Sequence, residues 1–314
     1  MIGIIVLIVL PVFLVIGAGY AATRSGLFSS AAVDGLMVFT QSFAIPCLLF
    51  RALVDLDLGA VFNPELLASF YAGAITCFAL GILGARLVFK RRPGEAVAVG
   101  FSALFSNSVL LGLPIMQHAY GPGSLDPSFA IISIHAPFCY FVGISVMEFA
   151  RADGRGFLST LQAVARAMFR SGLMVGLALG FVVNLSGLGL PGPVRAGLDM
   201  MADAALPAAL FGLGGVMTRY AIHANLGESA MIAVLSLGLH PAIAYTLSHL
   251  VFDLPVEFVR AAVVTAAMAP GVNTYVFASL YNRAQAQAAS SIVLCTGLLV
   301  VTAAFWLQVL GGAG

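Results

Sequence analysis

Two stretches carry polar residues and prolines inside otherwise apolar sequence. One is Ser106-Asn107-Ser108 followed by Gly112 and Pro114; the other is Pro270-Gly271 followed by Asn273 and Thr274. Proline lacks an N–H and its ring crowds the preceding turn, so Gly112 with Pro114, and Pro270-Gly271, predict two interrupted helices. An interruption exposes helix ends, and an N-terminal end offers free N–H groups and partial positive charge to an anion such as a carboxylate. Asn107 and Asn273 then have two uses: donating to a substrate oxygen, or capping the exposed backbone. Ser106, Ser108 and Thr274 either join such a site or bond their own backbone. Gln41, one turn before Pro46, is a further candidate to face the break.

Three ionisable residues inside apolar runs stand out as candidates, because a charge there is costly and is by default a functional hypothesis. His135 and His240 either pass a proton near neutral pH or sit neutral against a neighbouring helix. Asp203 precedes Pro207 near the end of its run, as a proton-coupling carboxylate or an interfacial one. Glu148 is expected to be solvated or paired with Arg151.

The elements that hold these residues follow from composition. Of 314 residues, 61% are hydrophobic and 9% charged, and mean hydropathy is +1.05; soluble domains carry about 25% charged residues. Apolar runs fall at 2–22, 36–54, 66–89, 96–120, 128–149, 169–190, 200–221, 229–252, 258–281 and 288–310, each long enough for a bilayer core of about 30 Å. The first has no basic residue before it and reads as a retained helix rather than a signal peptide. Alternate connections collect the positive charge: Arg24, Arg86, Lys90, Arg91, Arg92, Arg151, Arg155, Arg166, Arg170, Arg219 and Arg283 on one side, against Arg51, Arg195 and Arg260 on the other. The positive-inside rule puts the larger set in the cytoplasm and both termini outside.

An internal repeat runs through the chain. Ala44-Ile45-Pro46 with Leu49-Phe50 returns as Ala205-Leu206-Pro207 with Leu210-Phe211, 161 residues later, and the same offset relates Tyr120 to Tyr281. With five helices per half, the halves are expected to insert with opposite topology: 1–150 as the first inverted repeat, 151–168 as a cytoplasmic connector, and 169–314 as the second. Interrupted segments in corresponding positions of two inverted repeats point to a transporter binding site near mid-membrane.

These residues also resemble a family. Gly19-Tyr20, Gly26-Leu27-Phe28, Ile45-Pro46-Cys47-Leu48-Leu49-Phe50, Ser106-Asn107 through Gly112-Leu113-Pro114, Ala205-Leu206-Pro207, and Ala269-Pro270 with Asn273 and Tyr275 occur in the order of the auxin efflux carrier family. Ser106 stands where glycine is usual. The resemblance implies an all-α integral membrane fold of ten helices in two inverted five-helix repeats. Helices four and nine would be broken and cross, as in bile-acid symporters and sodium/proton antiporters. Without the long loop of the best-known plant carriers, the chain resembles the short bacterial type. That type implies an inner-membrane carrier of malonate, malate or a related organic acid, and a homodimer as partner.

Other classes fit poorly. A net charge of +1 gives no electrostatic footprint for nucleic acid. No Walker motif, HExxH or nucleophile constellation occurs, so neither ATP, a metal, a cofactor nor enzyme chemistry is expected. Cys47, Cys77, Cys139 and Cys295 are single and widely spaced. The expected partners are a small organic anion, protons and membrane lipid. Two alternatives stand beside the organic-anion carrier: a sodium-coupled symporter or sodium/proton antiporter on the same scaffold, and a membrane sensor that binds without transporting.

Overall fold

The computed structural model describes residues 2–150, 162, 172–219 and 226–311. The connector expected at 151–168 falls outside these residues apart from Gln162, as do the positive charges at 151, 155, 166 and 170.

In chain order the helices are α1 (Ile2–Arg24), α2 (Ser30–Val54), α3 (Pro64–Leu87), α4 (Pro93–Leu104), α5 (Leu113–Tyr120), α6 (Asp126–Ala150), α7 (Gly172–Ser186), α8 (Gly192–Met217), α9 (Leu226–Val251), α10 (Val256–Ala266), α11 (Val272–Leu280) and α12 (Gln285–Val309). No strand occurs among the described residues; the only extended pairing there is an isolated bridge between Ser106 and Pro270. Among the described residues, six helices are long and apolar enough to cross a membrane: α2, α3, α6, α8, α9 and α12.

The helices begin where side chains can take up free N–H groups. Asn63 accepts the Leu66 N–H at 2.8 Å with Pro64 in the first turn of α3, and Ser29 accepts the Ala32 N–H at the start of α2. Glu95 in α4 accepts the Arg92 N–H at 3.1 Å.

Pro11, Pro137 and Pro207 sit within continuous α-helix, whereas three other prolines are met by widening. π turns at Thr40–Ala44, Ser108–Gly112 and Val234–Leu239 each end two residues before a proline: Pro46, Pro114 and Pro241. The wider turn makes room for a ring that would otherwise strike the carbonyl four residues back. Pro241 cannot donate to the Leu237 carbonyl, and the Trp306 indole N–H takes that acceptor at 2.8 Å.

Contacts divide the chain into two units, each drawing on both sequence halves. The smaller comprises 11–61 and 162–219; the larger comprises 1–10, 62–161 and 220–314. In the smaller unit, small residues let backbones meet. A Cβ at Gly214 would collide with the Ile16 carbonyl, and one at Gly19 with Phe211, where α1 and α8 touch. Gly176 and Gly180 do the same for α7 against Pro46 and Phe50 of α2. Asn184 of α7 donates to the carbonyls of Leu53 and Leu56 at 2.9 and 2.7 Å, satisfying the end of α2. Ion pairs join Arg51 to Asp199 and Asp203, Arg195 to Asp55, and Arg219 to Asp34.

In the larger unit, α3 packs on α4 with Gly81 against the Gly100 backbone. Buried Glu228 grips Arg91 through two hydrogen bonds of 2.5 and 3.0 Å. That carboxylate hydrogen bond holds the guanidinium's pKa above its ordinary value.

Candidate functional site: the paired breaks of the larger unit

From Ala96 to Leu104 every residue of α4 is buried. The chain leaves the helix at Phe105, runs open through Ser106 and Asn107, and coils again from Ser108. The second interruption lies between Ala266 and Val272. Each break supplies what the other lacks. The Asn107 N–H donates to the Ala269 carbonyl at 2.8 Å, and the Gly271 N–H donates to the Phe105 carbonyl at 3.2 Å. Ser106 and Pro270 are thereby bridged antiparallel. Proline has no N–H to give at this point, and the pairing uses the residues on either side instead. Open backbone at membrane depth must be satisfied inside protein, and this exchange satisfies part of it.

The first break sits earlier than the sequence places it. Gly112 and Pro114 do not interrupt the helix; the π turn before Pro114 accommodates the ring, and the opening falls at 105–107.

Four helix ends meet at the pairing: the C-terminal ends of α4 and α10, and the N-terminal ends of the Ser108 turn and of α11. Asn107 and Ser108 are buried, and Ser106 is buried with its hydroxyl lacking a hydrogen-bond partner. Asn273, in the first turn of α11, is exposed and accepts a hydrogen bond from Tyr140 at 3.4 Å. With its carbonyl so engaged, its NH2 group is the part left to donate to an incoming oxygen. Thr274 is fully buried and donates to the Gly271 carbonyl at 2.8 Å, so its hydroxyl serves the local backbone. Pro114 and Pro270 are both buried.

His135 lies nine residues into α6, buried, with the Ser106 backbone within hydrogen-bonding reach of its ring. Cys139 Sγ is 3.6 Å from its Nδ1, and the Phe105 ring stands edge-on at 4.7 Å. The Phe70 ring separates it from His240, whose Nε2 meets the Phe70 carbonyl at 3.0 Å.

Two candidates lie elsewhere. Gln41 is exposed in a π turn of the smaller unit. Asp203 belongs to the same unit. Because α8 starts at Gly192, eight residues before the apolar run, Asp203 lies well inside the helix rather than at its end. Its carboxylate is 2.9 Å from Arg51.

Sequence reasoning missed the aromatic wall beside Asn273. Phe101 and Phe277 stack at 3.8 Å, and Tyr140 stands 5.7 Å from Phe101 and 5.9 Å from Phe105. Gly143 admits the Phe101 ring, which a Cβ there would strike. Phe138-Cys139-Tyr140-Phe141 is the only sequence trace of this wall, and such a run reads equally well as helix core. Among the described residues no group of three His, Cys, Asp or Glu side chains is placed to hold a metal ion.

Several membrane-length helices among the described residues define a multi-pass membrane protein, with two further segments interrupted and paired through their breaks. Residues 4–307 match the family described as membrane transport protein. The chain belongs to that family, the auxin efflux carrier family of the sequence resemblance. It is 24% identical over 296 residues to a Rhizobium meliloti protein named "Putative malonate transporter", covering 94% of this chain and 92% of that one. Over 304 residues it is 24% identical to the Escherichia coli "Uncharacterized transporter YfdV", covering 96% of each. A Mus musculus "Lysosomal cholesterol signaling protein" is 27% identical over 226 residues, which are 66% of this chain and a quarter (25%) of the mouse protein.

Proposed function

We propose that the protein is a secondary transporter of the bacterial inner membrane that moves a small organic anion, malonate or a related carboxylate, by alternating access. In this reading the chain forms ten transmembrane helices in two inverted five-helix repeats, 1–150 and 169–314, with both termini extracytoplasmic. The substrate sits where the breaks cross. Its oxygens are met by Asn107, Asn273 and the N-terminal ends of the Ser108 turn and α11, with Ser106 and Ser108 at hand. The observation that carries this reading is the antiparallel exchange between the breaks, which brings two helix N-termini and two asparagines to one place. Malonate is the first acid to test because the Rhizobium meliloti relative bears that name.

Proton coupling is proposed through His135, beside the Ser106 backbone, with His240 behind Phe70. Asp203 is the third candidate, and Arg51 is the group it would have to leave. Uptake and counterflow of labelled malonate in proteoliposomes, under imposed proton or sodium gradients, tests the reading. Saturable flux driven by the proton gradient is expected. Flux that follows sodium instead selects the symporter alternative. Binding without flux selects the sensor, a reading favoured by the signalling name of the mouse relative.

A further inference from the structure

Of the three arginines that the charge count puts on the sparsely charged side, two are neutralised at close range. Arg51 has Asp199 and Asp203, and Arg195 has Asp55. Arg260 differs. No ion pair joins it to any carboxylate among the described residues; Glu257, one turn earlier on α10, is exposed and does not reach it. Its guanidinium instead lies over the ring of Tyr120, with the central carbon 4.2 Å from the ring centroid. The Arg260 Nε is buried without a hydrogen-bond partner, and the Tyr120 hydroxyl is buried within hydrogen-bonding reach of the guanidinium.

A half-buried cation without a counter-ion is costly. The π face offsets part of that cost and fixes the plane of the guanidinium, while leaving its N–H groups for a ligand. The position gives this a use. Arg260 stands six residues before the end of α10, and Tyr120 seven residues after the start of α5. Arg260 is therefore about 9 Å along α10 from its break, while Tyr120, twelve residues beyond Ser108, is about 18 Å along the re-formed helix from the other, at 1.5 Å per residue. The only other titratable side chain on α5 is exposed His118, whose Nδ1 bonds the Pro114 carbonyl at 3.1 Å.

We propose that Arg260, steadied by Tyr120, is a second anion-recognition point that takes a carboxylate of the substrate on its way to or from the crossing. The planar fork of a guanidinium matches a carboxylate in bidentate fashion, and a charge here raises the local concentration of anions. This proposal rests on the carrier reading for its substrate class, though the site can be tested without transport.

The test is arginine-selective labelling of the full chain by phenylglyoxal in phosphatidylcholine vesicles, read at Arg260 by peptide mass spectrometry. Sodium malonate is compared with sodium chloride at equal ionic strength. Malonate is expected to shield Arg260 severalfold and to leave exposed Arg24 unchanged. Equal labelling of Arg260 in both salts overturns the proposal. So does shielding by phosphatidylglycerol vesicles without malonate, which would make a lipid phosphate the occupant. In uptake, Arg260→Gln is expected to raise KM about tenfold, the worth of a charged hydrogen bond, with kcat little changed. Arg260→Lys should restore part of the loss, and Tyr120→Leu should lose more than Tyr120→Phe. A parent that carries no acid while malonate still shields Arg260 sinks the carrier reading alone; flux without shielding sinks this site alone.

Discussion

The two units treat polar groups in opposite ways. In the smaller, the polar work is finished: arginines 51, 195 and 219 each have a carboxylate, and Asn184 closes the end of α2. Glycines bring α1 onto α8 and α2 onto α7 at backbone contact. In the larger, two helices are opened and only partly re-satisfied. The breaks trade two backbone hydrogen bonds, yet the Ser106 hydroxyl and Arg260 Nε are left without partners. A region whose arginines are already paired has less to offer a ligand. One that holds donors in reserve, next to two helix N-termini, has the means to bind an anion. The contrast sets close packing beside reserved donors within one set of described helices.

The sharpest way to break that contrast is to attack the packing element at its tightest point. Gly214→Val drives a branched side chain into the Ile16 carbonyl and should cost about 3 kcal/mol or more by overpacking. Gly238→Ala, in the larger unit with nothing within 4 Å of its Cβ position, serves as the control. Fluorescence-detected size exclusion after a heating series should show the first variant lost and the second unchanged. Equal survival of both would remove the glycine seams from the account.

A smaller effect is expected from Trp306→Phe. It leaves the Leu237 carbonyl facing both a proline and an empty donor position, a buried acceptor worth about 1–3 kcal/mol. Its melting temperature should fall while KM for the transported acid stays near the parent's. Least of all is expected from Asp203→Asn, because Arg51 keeps Asp199 and exposed pairs contribute about 0–1 kcal/mol. A melting temperature several degrees lower would show that pair to be more than a surface contact.

Much of this was legible in the sequence because membrane helices announce themselves through length and apolarity, and because prolines and asparagines stand out against that background. Asn107, Pro270 and Asn273 marked the right two segments. The position of the first opening was not legible: Pro114 signals a break, but a π turn absorbs its ring, and the chain opens about two turns earlier at Phe105–Asn107. The wall of Phe101, Tyr140 and Phe277 was hidden for a different reason, since aromatic residues in an apolar helix read alike whether they line a site or fill a core. Nor could charge counting separate Arg260 from Arg51 and Arg195. Only the position of their carboxylates does that.

The central claim is that the paired breaks hold the anion, and two substitutions test it most directly. Labelled malonate uptake should be measured in proteoliposomes for the parent, Asn107→Ala and Asn273→Ala, each checked for an unchanged melting temperature. Loss of saturable flux in both variants is the expected result, with kcat/KM down about 10–100-fold for the loss of a buried donor to a charged oxygen. Parent-like flux in both variants would contradict the claim and move the substrate away from the crossing.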